Sequence, residues 1–460
     1  MRVAVLVLAV LAALAQAHAL SLCDGGPCAC RYHDNLHEDF IRQYIDCSYR
    51  KNVFDANYTL PSKAYSLDLS SNGLKILRAG ELSPSHGLEE LVLKNNLLVE
   101  IEANALMFPE LRKLDLSNNQ LESVDSAVWK SIRKLEYLNL ANNRFVTFSQ
   151  LAFHPLSQLH EVILDNNELG ASLLDTNLFD RDGYGLTNKI KKMSIRGIAL
   201  NAVPDNFFID AYDLRELVIS NNNLTDLFEI PFTLEQLDVS DNPIQEVSGE
   251  DFYDVTALRV LKLNNLAIRE VSPFTFASLH SLTKLEMERN LNLTEFNALA
   301  FGQEVLDDPD DFLLEELSLK SSRLRTLDQK LEVPFGRLTR LDLQGNPWHC
   351  DCRITWLKKF QISPHDYEHL RCQTPRTLFN SKLFEVEAAA LRCGGGGGRG
   401  GAALGLLAFG MLFAATALWL FWYLPSCQAR GKLVTSMYNP TAAYAALPVH
   451  VSPPPPPPLL

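Results

Sequence analysis

Cysteine is the reactive residue type with the most distinctive arrangement in this chain. The stretch NPWHCDC, residues 346–352, places Cys350 and Cys352 one residue apart. Such a pair could bind a metal ion, act as a redox pair or anchor disulfides. Zinc sites typically use C-x-x-C pairs or sets that include histidine. The nine cysteines instead form two groups of four and one outlier: Cys23, Cys28, Cys30 and Cys47; Cys350, Cys352, Cys372 and Cys393; and Cys427.

Motifs of catalysis are absent from the sequence. It contains no G-x-S-x-G, no H-E-x-x-H and no phosphate-binding loop, and its eleven histidines are scattered. Gly395-x-Gly397-x-x-Gly400 has the spacing of a dinucleotide-binding loop, but it lies in a polyglycine run with no strand before it. We interpret residues 394–401 as a flexible linker and predict a non-catalytic protein without a cofactor or a bound metal.

The N-terminus indicates where the cysteines reside. Met1-Arg2 precedes an apolar run from Val3 to Ala15 and then small residues, which is typical of a cleaved signal peptide over residues 1–19. A secreted segment meets an oxidising environment, so both groups of four cysteines are predicted to form disulfides. Four cysteines allow three pairings in each group, and spacing alone does not choose among them.

A second apolar run predicts a membrane anchor. Residues 402–424 contain no charge, and about 20 helical residues span a bilayer. Arg430 and Lys432 follow the run, which favours a cytoplasmic C-terminus. We therefore expect a single-pass type I protein of the plasma membrane, with its N-terminus outside and residues 425–460 as a proline-rich disordered tail. The net charge of −13 and this location argue against a nucleic-acid partner.

The tail carries three short candidate motifs. Cys427 is a candidate for palmitoylation, with a plain thiol as the alternative. Tyr444 and Leu447 have the spacing of a tyrosine-based sorting signal that an endocytic adaptor would read, although such four-residue matches also arise by chance. Pro453 to Pro458 could present a polyproline II helix to a polyproline-binding domain, or could be a spacer.

An internal repeat occupies most of the chain between the two groups of cysteines. The pattern L-x-x-L-x-L-x-x-N-x-L starts at residues 64, 88, 111, 135, 159, 190, 214, 234, 258, 282, 314 and 338. The alternation in L-x-L predicts a strand with one buried face, and stacked strands would share one parallel sheet and one core. A recurring phenylalanine is predicted to pack beneath the opposite side of the core; it is Phe153, Phe208, Phe252, Phe276 and Phe301.

An asparagine follows the strand in nine of the twelve units, and its amide is predicted to form a ladder from turn to turn. The nine are Asn72, Asn96, Asn119, Asn143, Asn167, Asn222, Asn242, Asn290 and Asn346. Ile198, Leu266 and Ser322 replace it elsewhere, so weaker rungs are expected there. Units 159 and 282 carry insertions. The second insertion is acidic around Asp307 and Asp310, and we interpret it as a solvated loop, because its spacing does not match a calcium loop.

In these residues the chain resembles the extracellular leucine-rich-repeat family. The resemblance implies an α/β fold: a right-handed curved solenoid of about twelve repeats over residues 64–345, with a parallel sheet on its concave face. It also implies disulfide caps over residues 20–63 and 346–393. The pairings that it implies are Cys23–Cys30, Cys28–Cys47, Cys350–Cys372 and Cys352–Cys393. The gap between Cys30 and Cys47 is long for the family, so the N-terminal cap departs from the family's pattern.

The outward positions of the strands suggest a binding surface. Among charged neighbours they place four apolar residues as candidate contacts with a protein partner: Val92, Tyr137, Ile163 and Val218. Isolated apolar residues on a surface can also be without function. Three N-x-T sequons mark candidate glycosylation sites on an exposed surface: Asn57, Asn223 and Asn292.

The resemblance extends to single-pass leucine-rich-repeat adhesion molecules and receptors, such as the chaoptin, tartan and leucine-rich transmembrane neuronal groups. It implies a cell-surface protein that binds an extracellular protein ligand, or a surface protein of another cell, in adhesion or as a receptor or co-receptor. A homodimer is a further candidate assembly. Two alternatives stay open: an innate-immune recogniser of a microbial glycan or lipid, and a non-catalytic carrier of a secreted enzyme.

Overall fold

Every repeat unit contributes one short strand to a single fourteen-stranded sheet. The structure, a computed structural model, describes residues 20–23, 25–33, 42–50, 53, 58–173, 179, 186, 189–205, 207–208 and 210–393. The strands, in chain order, are β1 Leu20–Ser21, β2 Ala29–His33, β3 Arg42–Asp46, β4 Tyr58–Thr59, β5 Ala64–Asp68, β6 Ile76–Leu77, β7 Glu90–Val92, β8 Glu100–Ile101, β9 Lys113–Asp115, β10 Tyr137–Asn139, β11 Glu161–Ile163, β12 Lys192–Ser194, β13 Glu216–Val218, β14 Gln236–Asp238, β15 Val260–Lys262, β16 Glu270–Val271, β17 Lys284–Glu286, β18 Glu295–Phe296, β19 Glu316–Ser318, β20 Arg340–Asp342, β21 Trp348–His349 and β22 Cys372–Thr374.

The main sheet is parallel from β3 onward, in the order β2-β3-β5-β7-β9-β10-β11-β12-β13-β14-β15-β17-β19-β20. The middle residue of each three-residue strand faces the core, and the register places these residues opposite one another: Leu91 pairs with Leu114, and Leu114 with Leu138. Each is at most 1% exposed. Burial of one such side chain stabilises the fold by roughly 1.5–3 kcal/mol, so the stacked leucines provide the continuous core that single strands lack.

Irregular segments return the chain from each strand to the next. They contain short α-helical turns at Ser126–Trp129, Gly170–Leu173, Glu304–Asp307, Glu332–Phe335 and Pro364–Tyr367, and 3-10 turns at Phe148–Leu151, Gln329–Leu331, Cys352–Lys359, Arg376–Leu378 and Ala388–Ala390. The five recurring phenylalanines are all buried. The rings of Phe252, Phe276 and Phe301 follow one another at centroid distances of 5.9 and 5.7 Å, so they form the part of the core opposite the sheet.

The asparagine ladder is present as hydrogen bonds between turns. The Nδ2 of Asn96 donates to the Leu93 carbonyl in its own turn (2.9 Å) and to the Leu69 carbonyl in the preceding turn (3.0 Å). Its Oδ1 accepts from the Asn72 backbone N–H (2.9 Å). Each asparagine therefore satisfies carbonyl and N–H groups that a strand ending inside the core would leave unpaired.

Part of the hydrogen-bond ladder remains at the three positions where another residue replaces asparagine. The backbone N–H groups of Ile198 and Leu266 still donate to the next asparagine, at 3.0 and 2.7 Å. Both side chains are buried in the core, so apolar packing replaces the missing amide. Ser322 reaches one carbonyl of the preceding turn, that of Met287, at 3.4 Å.

The N-terminal cap extends the sheet. β2 and β3 form an antiparallel pair, and β3 continues the parallel sheet beside β5. The disulfides of this cap join Cys23 to Cys30 and Cys28 to Cys47. The long gap before Cys47 therefore contains most of a hairpin, whose second strand covers the first repeat.

The C-terminal cap begins at Trp348, which is fully buried and donates its indole N–H to the Leu343 carbonyl (3.0 Å). Cys350 pairs with Cys372 and Cys352 with Cys393. Trp356 lies against Phe335 of the unit that starts at 314, with ring centroids 6.2 Å apart. The two bridges thus hold an aromatic lid over the end of the core.

Several sequence-based predictions lie outside the described residues. They are the signal peptide over 1–19, the linker over 394–401, the membrane anchor over 402–424, the tail over 425–460, Cys427, Tyr444, Leu447 and the sequon at Asn57. Within the described part of the chain, no helix has the length and apolar character needed to cross a bilayer.

Candidate partner-binding face

Two columns of side chains point away from the core on the main sheet, and we call this surface the open face. Because side chains alternate along a strand, the first and third residues of each strand lie on it. The first column runs Glu90, Lys113, Tyr137, Glu161, Lys192, Glu216, Gln236, Val260, Lys284, Glu316 and Arg340. The second runs Val92, Asp115, Asn139, Ile163, Ser194, Val218, Asp238, Lys262, Glu286, Ser318 and Asp342.

The charged residues of the first column alternate in sign on adjacent strands, and many of them pair across those strands. Lys192 lies between Glu161 and Glu216, with Nζ 3.3 Å from a carboxylate oxygen of each. Burial acts to lower the pKa of Lys192, but the two carboxylates outweigh it and hold that pKa above its usual value. The hydrogen bond from Lys113 to Glu90 (2.9 Å) likewise raises the pKa of Lys113. These lysines therefore remain charged and paired at neutral pH.

The same pairing continues toward the C-terminal end of the sheet. Lys284 lies 3.0 Å from Glu286 and 3.2 Å from Glu316. Arg340 then reaches Asp366 of the C-terminal cap at 3.3 Å. Since exposed pairs each contribute little to stability, about 0–1 kcal/mol, their clearer effect is to order the charged side chains on the open face.

The middle of the second column carries no charge. Four adjacent strands, β10 to β13, place Asn139, Ile163, Ser194 and Val218 side by side. Asn139 and Ser194 are engaged within the protein, since Asn139 accepts from the Ala141 N–H and Ser194 donates to Asp165. Ile163 and Val218 are left as half-buried apolar contacts. We call these four residues and Tyr137 the uncharged strip.

Tyr137 borders the strip in the neighbouring column. In the register of the sheet it lies between Lys113 and Glu161 on the flanking strands, and it interrupts the alternation of charge. Burial, together with the nearby Asp115 carboxylate, raises the pKa of the Tyr137 phenol. The side chain is therefore a neutral aromatic group with a hydroxyl that a partner could reach.

The structure places the four sequence-predicted contacts on one face but not in one patch. Tyr137, Ile163 and Val218 share the uncharged strip. Val92 is separated from it by Asp115 and lies among charged residues. All four lie in the N-terminal half of the chain among charged residues, which is why the sequence suggested one group; the register of the sheet separates Val92 from the other three.

The structure also shows a column of residues in the left-handed backbone conformation, which the sequence did not lead us to predict. The residue before each ladder position has a positive φ, for example Asn95 (57°), Asn118 (55°), Asn142 (55°) and Arg289 (56°). Asparagine and glycine adopt this conformation most readily. The repeated Asn-Asn pairs were the signal that could have revealed it.

The two sequons within the described residues are exposed. Asn223 follows ladder residue Asn222, and its Nδ2 makes one long contact, 3.3 Å, with Asn201. Asn292 is also exposed, with Nδ2 3.4 Å from the Ala267 carbonyl. Both lie in turns beyond the strands, so a glycan on either would stand at an edge of the open face.

Several carboxylates of the acidic insertion and of the C-x-C stretch have hydrogen-bond or ion-pair partners within the protein. In the insertion, Asp310 pairs with Arg337 at 3.0 Å and Asp307 accepts from Gln303. In the C-x-C stretch, the buried Asp351 accepts from Arg353; burial raises its pKa, but the hydrogen bonds from Arg353 outweigh that effect and lower it. No set of three or more His, Cys, Asp or Glu within the described ranges is arranged to hold a metal ion.

Comparison with known proteins agrees with the repeat architecture. A family model described as leucine rich repeat matches residues 109–169 and 232–291. Chaoptin of Tribolium castaneum is 27% identical over 318 residues, which cover 66% of this chain and 39% of that protein. Tsukushi of Gallus gallus is 29% identical over 262 residues, covering 56% and 67%. Podocan of Mus musculus is 30% identical over 315 residues, covering 62% and 45%. The chain thus spans less than half the length of chaoptin and of podocan.

Similar solved structures include the mouse RP105/MD-1 complex, with a TM-score of 0.48 and 17% identity over 72% of this chain and 63% of that one. The Drosophila Toll–Spatzle complex has a TM-score of 0.47 and 20% identity over 72% and 55%. The matched segments and these relatives share the leucine-rich-repeat pattern, and the same strand-and-asparagine unit recurs across residues 64–345 of this chain.

Proposed function

We propose that this chain is a cell-surface recognition protein that binds a protein ligand, or a surface protein of another cell, through its open face. The observation that carries the proposal is the uncharged strip, in which Tyr137, Ile163 and Val218 lie among ordered, paired charges. Protein interfaces combine aromatic and aliphatic contacts at their centre with a polar rim, and the open face has that composition.

The pattern of charge favours a protein over a single small ligand. Acidic and basic side chains alternate in the first column on β7 and β9, on β11 to β13 and on β17, β19 and β20, so a complementary surface would have to alternate in sign over many strands. A folded protein can present such a surface, and electrostatic complementarity of this kind gives specificity. The binding role is non-catalytic, and it would serve adhesion or a receptor or co-receptor function.

The plasma membrane is the location that we propose, with a single span, residues 402–424, and the N-terminus outside. The four disulfides support this location, because such bonds form and persist in secreted and cell-surface proteins. The predicted signal peptide and the basic residues Arg430 and Lys432 support the same orientation. Residues 425–460 would then face the cytoplasm, where a polyproline-binding or endocytic adaptor is the candidate partner.

The test is a screen of the extracellular part, residues 20–393 fused to an Fc fragment, against a library of cell-surface and secreted proteins. We expect saturable binding to a defined protein. Ile163→Arg and Val218→Arg should each weaken it at least tenfold, because each places a charge at the centre of the interface. Val146→Arg is the matched control, since Val146 is an exposed apolar residue outside the strands.

Three outcomes would redirect the proposal. Equal binding by Ile163→Arg, Val218→Arg and Val146→Arg would remove the open face as the site. Binding only to microbial glycans or lipids would favour the immune alternative, and recovery of one secreted enzyme would favour the carrier. Surface staining of an N-terminal tag on unpermeabilised cells tests the orientation separately.

A further inference from the structure

A groove lies among the return segments, on the side of the repeats away from the strands. It has a volume of about 600 Å³ and is lined by residues of three consecutive units, those starting at 190, 214 and 234. The middle unit is only 20 residues long, whereas the units on either side have 24. Residues 227–233 of the short unit form the middle of the lining, which we call the floor, between lining residues of the two neighbouring units. We call this cavity the back groove.

The floor of the back groove is apolar. Phe208 and Ile230 are buried beneath it. The ring of Phe228 lies 5.7 Å from that of Phe208, so the floor continues the phenylalanine column of the core. Phe228 itself is only partly buried and lines the groove, so the apolar floor is reachable from the surface.

Three large aromatic side chains stand exposed around this floor. Tyr212 is 55% exposed, Phe232 65% and Tyr253 75%, and all three line the same cavity. They come from three successive units, so the fold, and not the sequence order, brings them together. Exposed aromatic clusters of this kind typically mark a site where another molecule binds.

The charge around the back groove is strongly negative. Four of the groove's lining residues are acidic, Glu229, Glu250, Asp251 and Asp254, and none of the lining residues is basic. Glu250 and Asp254 line the groove, and neither carboxylate takes part in an ion pair within the described residues.

We propose that the back groove binds an arginine-bearing basic segment of a protein partner. A guanidinium stacks on tyrosine and phenylalanine rings and pairs with carboxylates in the same arrangement. The three aromatic side chains supply the ring faces, and Glu250 and Asp254 supply the charge. The apolar floor accommodates the aliphatic stems of the basic side chains. This second surface acts independently of the open face.

Arginine fits this site better than lysine. The ammonium group of lysine is compact and strongly hydrated, whereas the planar guanidinium is weakly hydrated and stacks on aromatic rings. A site that used charge alone would bind both residues alike. The back groove is expected to prefer arginine, because its exposed rings add a stacking interaction that only the planar guanidinium can make.

The test uses the purified full chain and fluorescein-labelled hexa-arginine, hexa-lysine and hexa-glutamate peptides, measured by fluorescence anisotropy at about 0.15 M salt, where exposed charges are well screened. Hexa-arginine should bind more tightly than hexa-lysine, and hexa-glutamate should not bind. Tyr253→Ser should weaken hexa-arginine binding roughly three- to tenfold, and Glu250→Gln/Asp254→Asn by about tenfold. These side chains are exposed, so the variants should fold as the parent does.

Matched controls separate the back groove from general attraction to an acidic protein. Asp307→Asn/Asp308→Asn removes two carboxylates from the distant acidic insertion, and Phe379→Ser removes an aromatic ring that is 60% exposed. Both should leave binding unchanged, as should the open-face variant Ile163→Arg. Absence of hexa-arginine binding, equal binding of the lysine peptide, or equal losses in the control variants would each overturn the proposal.

Discussion

At the residue scale, the ladder asparagines do more than end a strand. Asn222 donates to the Ile195 and Ile219 carbonyls at 3.0 and 2.9 Å, and it accepts from the Ile198 and Leu200 N–H groups at 3.0 and 3.1 Å. It is 6% exposed, so water cannot replace these partners. One side chain therefore joins two turns through four backbone groups.

Asn222→Ala is expected to lower the free energy of unfolding by roughly 2–4 kcal/mol, because it leaves several buried backbone groups unsatisfied. The measurement is the urea midpoint of the variant against the parent chain. Asn201→Ala is the control, since Asn201 is an exposed asparagine with a single long hydrogen bond, and its midpoint should hardly move. Equal midpoints for the two variants would contradict the structural role of the ladder.

At the element scale, each turn after a strand uses one residue in the left-handed conformation. Most units place asparagine or glycine there, but Arg289 occupies this position with a φ of 56°. The left-handed conformation is unfavourable by about 1–2 kcal/mol for a residue with a Cβ other than asparagine or aspartate. The unit that starts at 282 therefore has a strained turn next to its ladder residue, Asn290.

Arg289→Gly is expected to raise the free energy of unfolding by about 0.5–1 kcal/mol, because the relief of strain exceeds the entropy that glycine adds to the unfolded chain. Thermal or urea unfolding would measure it. Arg323→Gly makes the same change at an exposed arginine whose φ is not positive, and it should destabilise instead. Destabilisation by both variants would show that the turn at Arg289 is not strained.

At the scale of the whole molecule, the repeats contact mainly their neighbours, so stability spreads along the stack and both ends need protection. The hairpin of β2 and β3 protects the first repeat. Trp348, Trp356 and the disulfides of the C-terminal cap protect the last. The two surfaces proposed for binding lie between these ends, the open face on the strands and the back groove on the return segments.

Cys350→Ser/Cys372→Ser is expected to lower stability by about 3 kcal/mol, because this bridge closes a loop with a sequence separation of 22. The loss should remain local, so hydrogen exchange should speed up in β20 to β22 and stay unchanged in β9. Cys427→Ser is the control, since Cys427 belongs to neither group of four. Faster exchange throughout the sheet would show that the cap acts on the whole stack.

The period of the repeat was enough to predict the repeated strand, the ladder and the buried phenylalanines, because regularly spaced leucines must be buried and regularly spaced asparagines must find hydrogen-bond partners. The stacking of the units in the folded sheet establishes which side chains become neighbours across units. It separated Val92 from Tyr137, Ile163 and Val218, paired Lys192 with carboxylates of two other strands, and brought residues of three units together around the back groove. Equivalent residues of neighbouring units are about 24 positions apart in sequence, yet adjacent strands are only about 4.8 Å apart in space. The contacts between them therefore depend on how the strands align in the stacked sheet.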